Sequence, residues 1–374
     1  MINLRTLAGS TALVLAAAPA LAADYTFSTF LGPNHPITLN LHVPWAEDVA
    51  ERTDGEIDFE VYVGGAILPG NGVLQCVAQN VAQGGFITAG YVPAEMPVWN
   101  VIGDVAWEAS SDYAVTLAAT EFGLLNQLGH DEWTGNGVVF TGSASTVMYS
   151  YLCRGEPKSL EDFEGLRIRT AGNGWARFAE SIGAVPVNVS YTETYSALER
   201  GAIECTNLDP THLYNGAQVA EVVDSVVMLP MGPFFSQAAW AFNQSFWNDL
   251  SAEQRRIIFE ESARSLVRLH DAQDKMLEDN LAQARENGLA MIEPAEDLVA
   301  AKDAFVADGI GGLAKIAENR GVANYQQAID EFSALLTKWD GLLAENDRDD
   351  PEAMYDLIMT ELYDKLDPET YGVE

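Results

Sequence analysis

An α/β protein with two units is what the sequence predicts, and three observations carry that expectation. Residues 165–209 alternate strand-like and helix-like patterns in the order β-α-β-α-β, and residues 25–91 do so again. The chain has 374 residues, 48% of them hydrophobic and 10% aromatic, enough to bury a large core in each of two domains.

The elements follow in order. Arg5 and the apolar run Thr11–Leu21, closed by the small residues Ala20-Leu21-Ala22, have the form of a secretory leader cleaved after Ala22. That run is short of the roughly 20 apolar residues that cross a bilayer. Tyr25–Leu31 reads as a strand, Ile37–Arg52 as a helix, Asp58–Val63 as a strand after the Asp54-Gly55 turn, Val73–Gln83 as a helix and Phe86–Tyr91 as a strand. In the second unit Leu166–Arg169 alternates like a half-buried strand, and Ala171-Gly172-Asn173-Gly174 stops it. Trp175–Ile182 is a helix closed by Gly183, and Val185–Val189 is β-branched. Ser190-Tyr191-Thr192-Glu193 has the form of a capping box, Gly201 ends the helix that it opens, and Ala202–Leu208 is a third strand. The right-handed crossover rule folds this order into a parallel sheet. Ala238–Asn243 is strand-like, and the box Ser251-Ala252-Glu253-Gln254 opens an amphipathic helix to about Glu286, with Ile258, Leu266, Leu269 and Met276 on its apolar side. The rest is helical and acidic, with a charged, solvated loop at Asp347–Glu352.

Charge excludes whole classes of function. With 20 Lys and Arg against 55 Asp and Glu the net charge is −35, and loss of Arg5 with the leader makes it more negative still. Such a surface repels nucleic acid and anionic lipid. Export places the cysteines in an oxidising compartment, where Cys76, Cys153 and Cys205 allow three single pairings. We expect Cys153 with Cys205, because both lie in predicted strands of one unit whereas Cys76 falls on the apolar side of a helix. Three separate thiols are the alternative.

Ligands of open parallel sheets bind beyond the carboxyl ends of the strands, and Arg169 stands at such an end. Its planar fork of donors matches a carboxylate or sulfonate. Asn207 could fix an oxygen, Trp175 could cover the carbon skeleton, and Ser190 and Asp209 stand at neighbouring strand ends. The bland alternative pairs Arg169 with one of the many acids. Gly172-Asn173-Gly174-Trp175-Ala176-Arg177 resembles a dinucleotide fingerprint, but Arg177 occupies the third glycine position, so no nucleotide cofactor is expected. Neither is a metal. The five histidines show no HExxH, and there is no Gly-x-Ser-x-Gly elbow. His35 alone is kept as a candidate, since Gly32-Pro33-Asn34-His35-Pro36 follows the first strand and could reach the cleft. Tyr91, Phe235 and Trp240 are further candidates for an apolar or aromatic wall.

Asp162-Phe163-Glu164-Gly165-Leu166-Arg167-Ile168-Arg169, Gly183-Ala184-Val185-Pro186-Val187 and the stretch Glu193–Gly201 together resemble the solute-binding proteins of TRAP transporters, the tripartite ATP-independent periplasmic class. The likeness runs from Trp45-Ala46-Glu47 through Asn243 and Trp247 into the long helix. It implies a two-domain periplasmic-binding-protein clamp with mixed sheets, crossing strands and a long domain-spanning helix. The expected divisions are residues 1–22 as leader, 23–148 as the first domain, 149–232 as the second, and 233–374 as return strand, connecting helix and C-terminal helices. It further implies a monomer in the periplasm that binds an organic acid and delivers it to membrane permease subunits, without catalysis and without a cofactor. Arg169 matches the carboxylate-binding arginine of that family. Where the family commonly shows an Asp-Gly-Gln-Glu-Asn-Pro-like run, this chain has Glu204-Cys205-Thr206-Asn207-Leu208-Asp209-Pro210, and Tyr149 and Ser150 stand where some relatives place a second arginine. An exported hydrolase or lyase using His35, and a structural envelope protein, are the competing expectations.

Overall fold

The computed structural model describes residues 25–373 apart from 110, 171 and 320, so the expected leader and its cleavage site lie outside the described residues, as does Ala171 of the glycine turn. Its strands are β1 Tyr25–Ser28, β2 Phe59–Tyr62, β3 Gly84–Ile87, β4 Val138–Cys153, β5 Arg167–Arg169, β6 Val185–Val187, β7 Cys205–Leu208, β8 Ser225–Asn243 and β9 Ala290–Ile292. They form one sheet in the order β2-β1-β3-β8-β4-β7-β5-β6, with β9 on β8. β1 pairs in parallel with β2 and β3, and β5 with β6 and β7. These are the two parallel sets that the β-α-β patterns predict.

The antiparallel centre is built by β4 and β8. Near one end Val138 pairs with Asn243, and Gly84 of β3 pairs with Phe242. At the other, Cys153 pairs with Ser225 on one side and Cys205 on the other. Two long strands therefore cross from one parallel set to the other. Their register shifts repeatedly between Phe140 and Tyr151, where bulged pairing bends a ladder. β8 is much longer than the Ala238–Asn243 segment expected from sequence. Pro230 and Pro233 conceal its first half, and Pro233 is accommodated beside one of these shifts, opposite Met148.

Two hydrophobic cores result. The first includes Trp45, Trp99, Phe140, Trp240, Phe332 and Trp339, and the second Tyr151, Phe163, Ile168, Phe178, Leu208 and Met231. The helix Ala252–Glu286 starts at Ser251 with a complete capping box, as predicted, and its 35 residues span about 52 Å at 1.5 Å each. Leu266 and Leu269 seat it in the first core and Ala284 in the second, while Met276 between them is half-buried. The acidic tail forms the helices Glu296–Asn319, Tyr325–Glu345 and Pro351–Glu361. Asp350 of the charged loop caps the last of these, accepting the amides of Glu352 and Ala353.

Three local expectations are corrected. The helix from Val73 stops at Ala78, because Asn80 adopts a φ of 58° and turns the chain toward β3. The strand expected over Phe86–Tyr91 runs only to Ile87 within β3, and Ala89–Tyr91 is a 3-10 turn. The Ser190 box does not form. Its hydroxyl donates to the Glu193 carboxylate at 2.7 Å, and a 3-10 turn precedes the helix Thr194–Glu199. The disulfide joins Cys153 to Cys205 across a β4–β7 ladder pair, and Cys76 is buried and free.

Candidate functional site

Arg169 ends β5 between β6 and β7, where the helices on either side leave a crevice at the strand ends. Only 5% of it is exposed. Its Nε donates to the carbonyl of Val189 at 3.3 Å and its Nη1 to that of Asn207 at 3.1 Å, so the segments after β6 and in β7 hold the fork from both sides. Among the described residues no carboxylate forms an ion pair with it. A buried guanidinium held by neutral carbonyls keeps its charge uncompensated, and its remaining donors are available to an anion.

Arg169 lines a cleft of about 1010 Å³. One wall comes from the first lobe, with Phe30, the Gly64-Gly65 turn, Pro69-Gly70-Asn71 and Tyr91. The other comes from the second, with Thr170, Ala176 and the run Pro186–Thr192. Tyr91 is carried there by the 3-10 turn after β3, is 38% exposed, and lies 5.3 Å from Phe30 between ring centroids. Gly70 is required beneath it, since a Cβ there would stand 2.7 Å from the Tyr91 ring. Burial raises the Tyr91 phenol above its ordinary range while Arg169 pulls it down, which records how close ring and guanidinium are.

Below the crevice lies a buried polar cluster. Tyr191 is hydrogen-bonded to His212 Nδ1 at 3.2 Å, and His212 Nε2 faces Asp209 at 3.5 Å. The backbone amide of Ala217 also donates to Nδ1, which makes that nitrogen an acceptor and places the proton on Nε2, toward the carboxylate. Tyr191 is therefore the donor in its bond. His35 arrives from the first lobe, 5.2 Å from His212 and 5.6 Å from Tyr191 between ring centroids, and the Gly216 amide donates to the Asn34 carbonyl. Burial, then His212, then His42, hold His35 well below its ordinary value. Burial also lowers His212 against the pull of Asp209, and raises Asp209 itself.

The structure thus brings Arg169, Tyr91 and Ser190 to the cleft, with His35 and Asp209 buried behind it. Asn207 is fully buried. Its carbonyl holds Arg169, whereas its side-chain Nδ2 faces Met231 Sδ at 3.7 Å. Trp175 is 7% exposed and packs in an aromatic cluster, 5.5 Å from Trp107 and 5.4 Å from Tyr149. Trp240 is a core residue and not a cleft wall: it is completely buried against Trp45, in a stretch of β8 where Ala238–Phe242 all belong to the first core. Phe235 is likewise buried, stacked on Phe332. Arg177 of the apparent dinucleotide fingerprint is bonded to Asp104 of the other lobe at 3.0 Å. Sequence reasoning missed Phe30, Asn71 and Tyr191. Only the glycines flanking Asn71 offered a signal, and they mark a turn rather than a ligand contact.

The sequence pattern described as bacterial extracellular solute-binding protein, family 7, matches residues 27–307. Among solved structures, a TRAP solute binding protein from Rhodoferax ferrireducens in complex with copurified benzoate superposes with a TM-score of 0.73 at 18% identity, covering 85% of this chain and 98% of that one. An extracytoplasmic solute receptor from Bordetella pertussis binding pyroglutamic acid gives 0.71 at 20% identity, over 83% and 99%. A TRAP periplasmic solute binding protein from Chromohalobacter salexigens with bound d-glucuronate gives 0.71 at 15%, over 83% and 99%. At these identities the likeness establishes a shared two-lobed fold.

Proposed function

The chain belongs to the family of bacterial extracellular solute-binding proteins, family 7, and on that premise we propose that it captures a small organic acid between its lobes and hands it on unaltered to the permease subunits of a TRAP transporter. The observation that carries this reading is Arg169, buried at a strand end, lining the cleft, and held by carbonyls instead of a protein acid. A carboxylate or sulfonate entering the cleft would complete its hydrogen bonds in a bidentate pair. The three solved structures named above carry benzoate, pyroglutamic acid and d-glucuronate, each an organic acid.

In this reading Tyr91 walls the cleft, the Asn207 carbonyl and Val189 aim the guanidinium, His35 packs on Tyr191 of the cleft wall, and Trp175 belongs to the aromatic cluster with Tyr149. The two cores favour lobes close to residues 23–148 and 149–232; of the remainder, β8 from Phe235 onward, most of the long helix and the chain from Leu313 return to the first, whereas residues 281–306 pack on the second. Removal of the leader after Ala22 would release the protein into the periplasm. His35 is a poor general base for the competing hydrolase or lyase, because its Nδ1 accepts the Ile37 amide and its ring is 5% exposed. The test is a thermal-shift screen of organic acids and sulfonates, followed by recovery of the tightest ligand after prolonged incubation. Stabilisation by about 2.7 kcal/mol at a hundredfold excess over Kd, with the ligand recovered intact, is the expected result. A chemically altered ligand overturns it.

A further inference from the structure

The charge count of the cleft restricts the acid it accepts. Among the described residues that line it, Arg169 is the only charged side chain, and no second cation faces it from the first lobe. The remaining polar lining is neutral, chiefly Asn71, Asn188, Ser190 and Thr192. The apolar lining is divided between the lobes: the Phe30–Tyr91 pair on one side and the Tyr191 ring on the other. Tyr91 is 38% exposed, and Phe30, although one side of its ring packs on Phe86 of the first core, is only half-buried, so both keep an open side toward the cleft. A second carboxylate in this space would have no cation to meet, inside a protein whose net charge is −35. A flat apolar body would instead find a ring from each lobe.

We infer that the cleft selects singly charged acids with an aromatic or similarly apolar body, and discriminates against dicarboxylates. The inference rests on the Arg169 reading above and narrows it. Calorimetric titration of the purified mature protein with benzoate, phenylacetate, succinate and glutarate tests it, together with the variant Asn71→Arg. Asn71 is exposed on the wall opposite Arg169, so the substitution adds a second cation without disturbing a core. The better monoacid is expected to bind at least tenfold more tightly than either dicarboxylate, and Asn71→Arg is expected to narrow that ratio at least threefold by strengthening succinate or glutarate. Dicarboxylates binding as tightly as the monoacids would overturn the selectivity while leaving acid capture through Arg169 intact. Absence of binding by both monoacids would also overturn it, and an Asn71→Arg protein with an unchanged ratio would contradict the charge argument specifically. If Arg169→Ala bound benzoate undiminished, the failure would lie in the underlying assignment and not in the selectivity.

Discussion

At the scale of residues, the buried histidines govern how the protein responds to acid. His35, His42 and His212 are all held below 6.5, His42 down to about 3, because burial disfavours the charged ring. The unfolded chain takes up protons on these rings as pH falls through about 6.5, whereas the folded chain refuses them, so the stability present above that value is lost below it. Glu132 works in the opposite sense. Burial pushes it up to about 7 although it accepts the amides of Val98 and Trp99, so its protonation on acidification favours the fold. Burial raises Glu108, Asp209, Asp271 and Asp274 as well, but from ordinary values of 4.5 and 3.8, so near pH about 6 the three rings act chiefly against Glu132. The melting temperature at constant ionic strength should therefore fall between pH about 6.5 and about 5.5, and His35→Gln should make that fall shallower. A melting temperature that rises over the interval contradicts this assignment. Gly216 makes a second residue-scale test. Its φ is 52°, and a Cβ would stand inside contact distance of His212 Nδ1 and the Tyr191 hydroxyl. Gly216→Ala should cost about 1–3 kcal/mol in denaturant unfolding, and a neutral result would mean that the cluster repacks freely. Arg169 was legible in the sequence because strand alternation and a following glycine turn fix its place. Trp240 was not, since an aromatic on a strand reads alike whether it faces a core or a ligand.

At the scale of elements, local signals succeeded where one turn or cap decided the outcome. The Ser251 box and Gly183, with its φ of 79°, ended or began helices as their chemistry requires. They failed for β4 and β8, which are buried over nearly their whole length and so lack the period-two pattern that identifies a half-exposed strand. Small residues Gly142-Ser143-Ala144-Ser145 and two prolines further disguise the crossing region. The Cys153–Cys205 bond pins β7, and with it the Asn207 carbonyl that holds Arg169, to the longer β4. Replacing both cysteines by serine should cost about 2–4 kcal/mol, the chain-entropy value for a loop of 52 residues being near its upper end. Denaturant midpoints would report it, and a loss below about 0.5 kcal/mol would show that the ladder holds without the bond.

At the scale of the whole molecule, the excess of acids opposes compaction, because like charges approach one another on folding. Salt should relieve this, so the melting temperature should rise with sodium chloride from about 0.01 to about 0.5 M, as the Debye length shrinks from about 30 Å to under 10 Å. A flat or falling curve would show that the surface ion pairs, weakened by the same screening, matter more than net repulsion. Two lobes joined by two strands and one long helix leave the cleft between them, and among the described residues lining it Arg169 is the one guanidinium. The most direct test is calorimetric titration of the tightest acid from the screen into the unaltered chain and into Arg169→Ala. The account predicts unchanged secondary structure and a loss of affinity of at least about 30-fold, equivalent to about 2 kcal/mol. Equal affinity in a folded variant would contradict it.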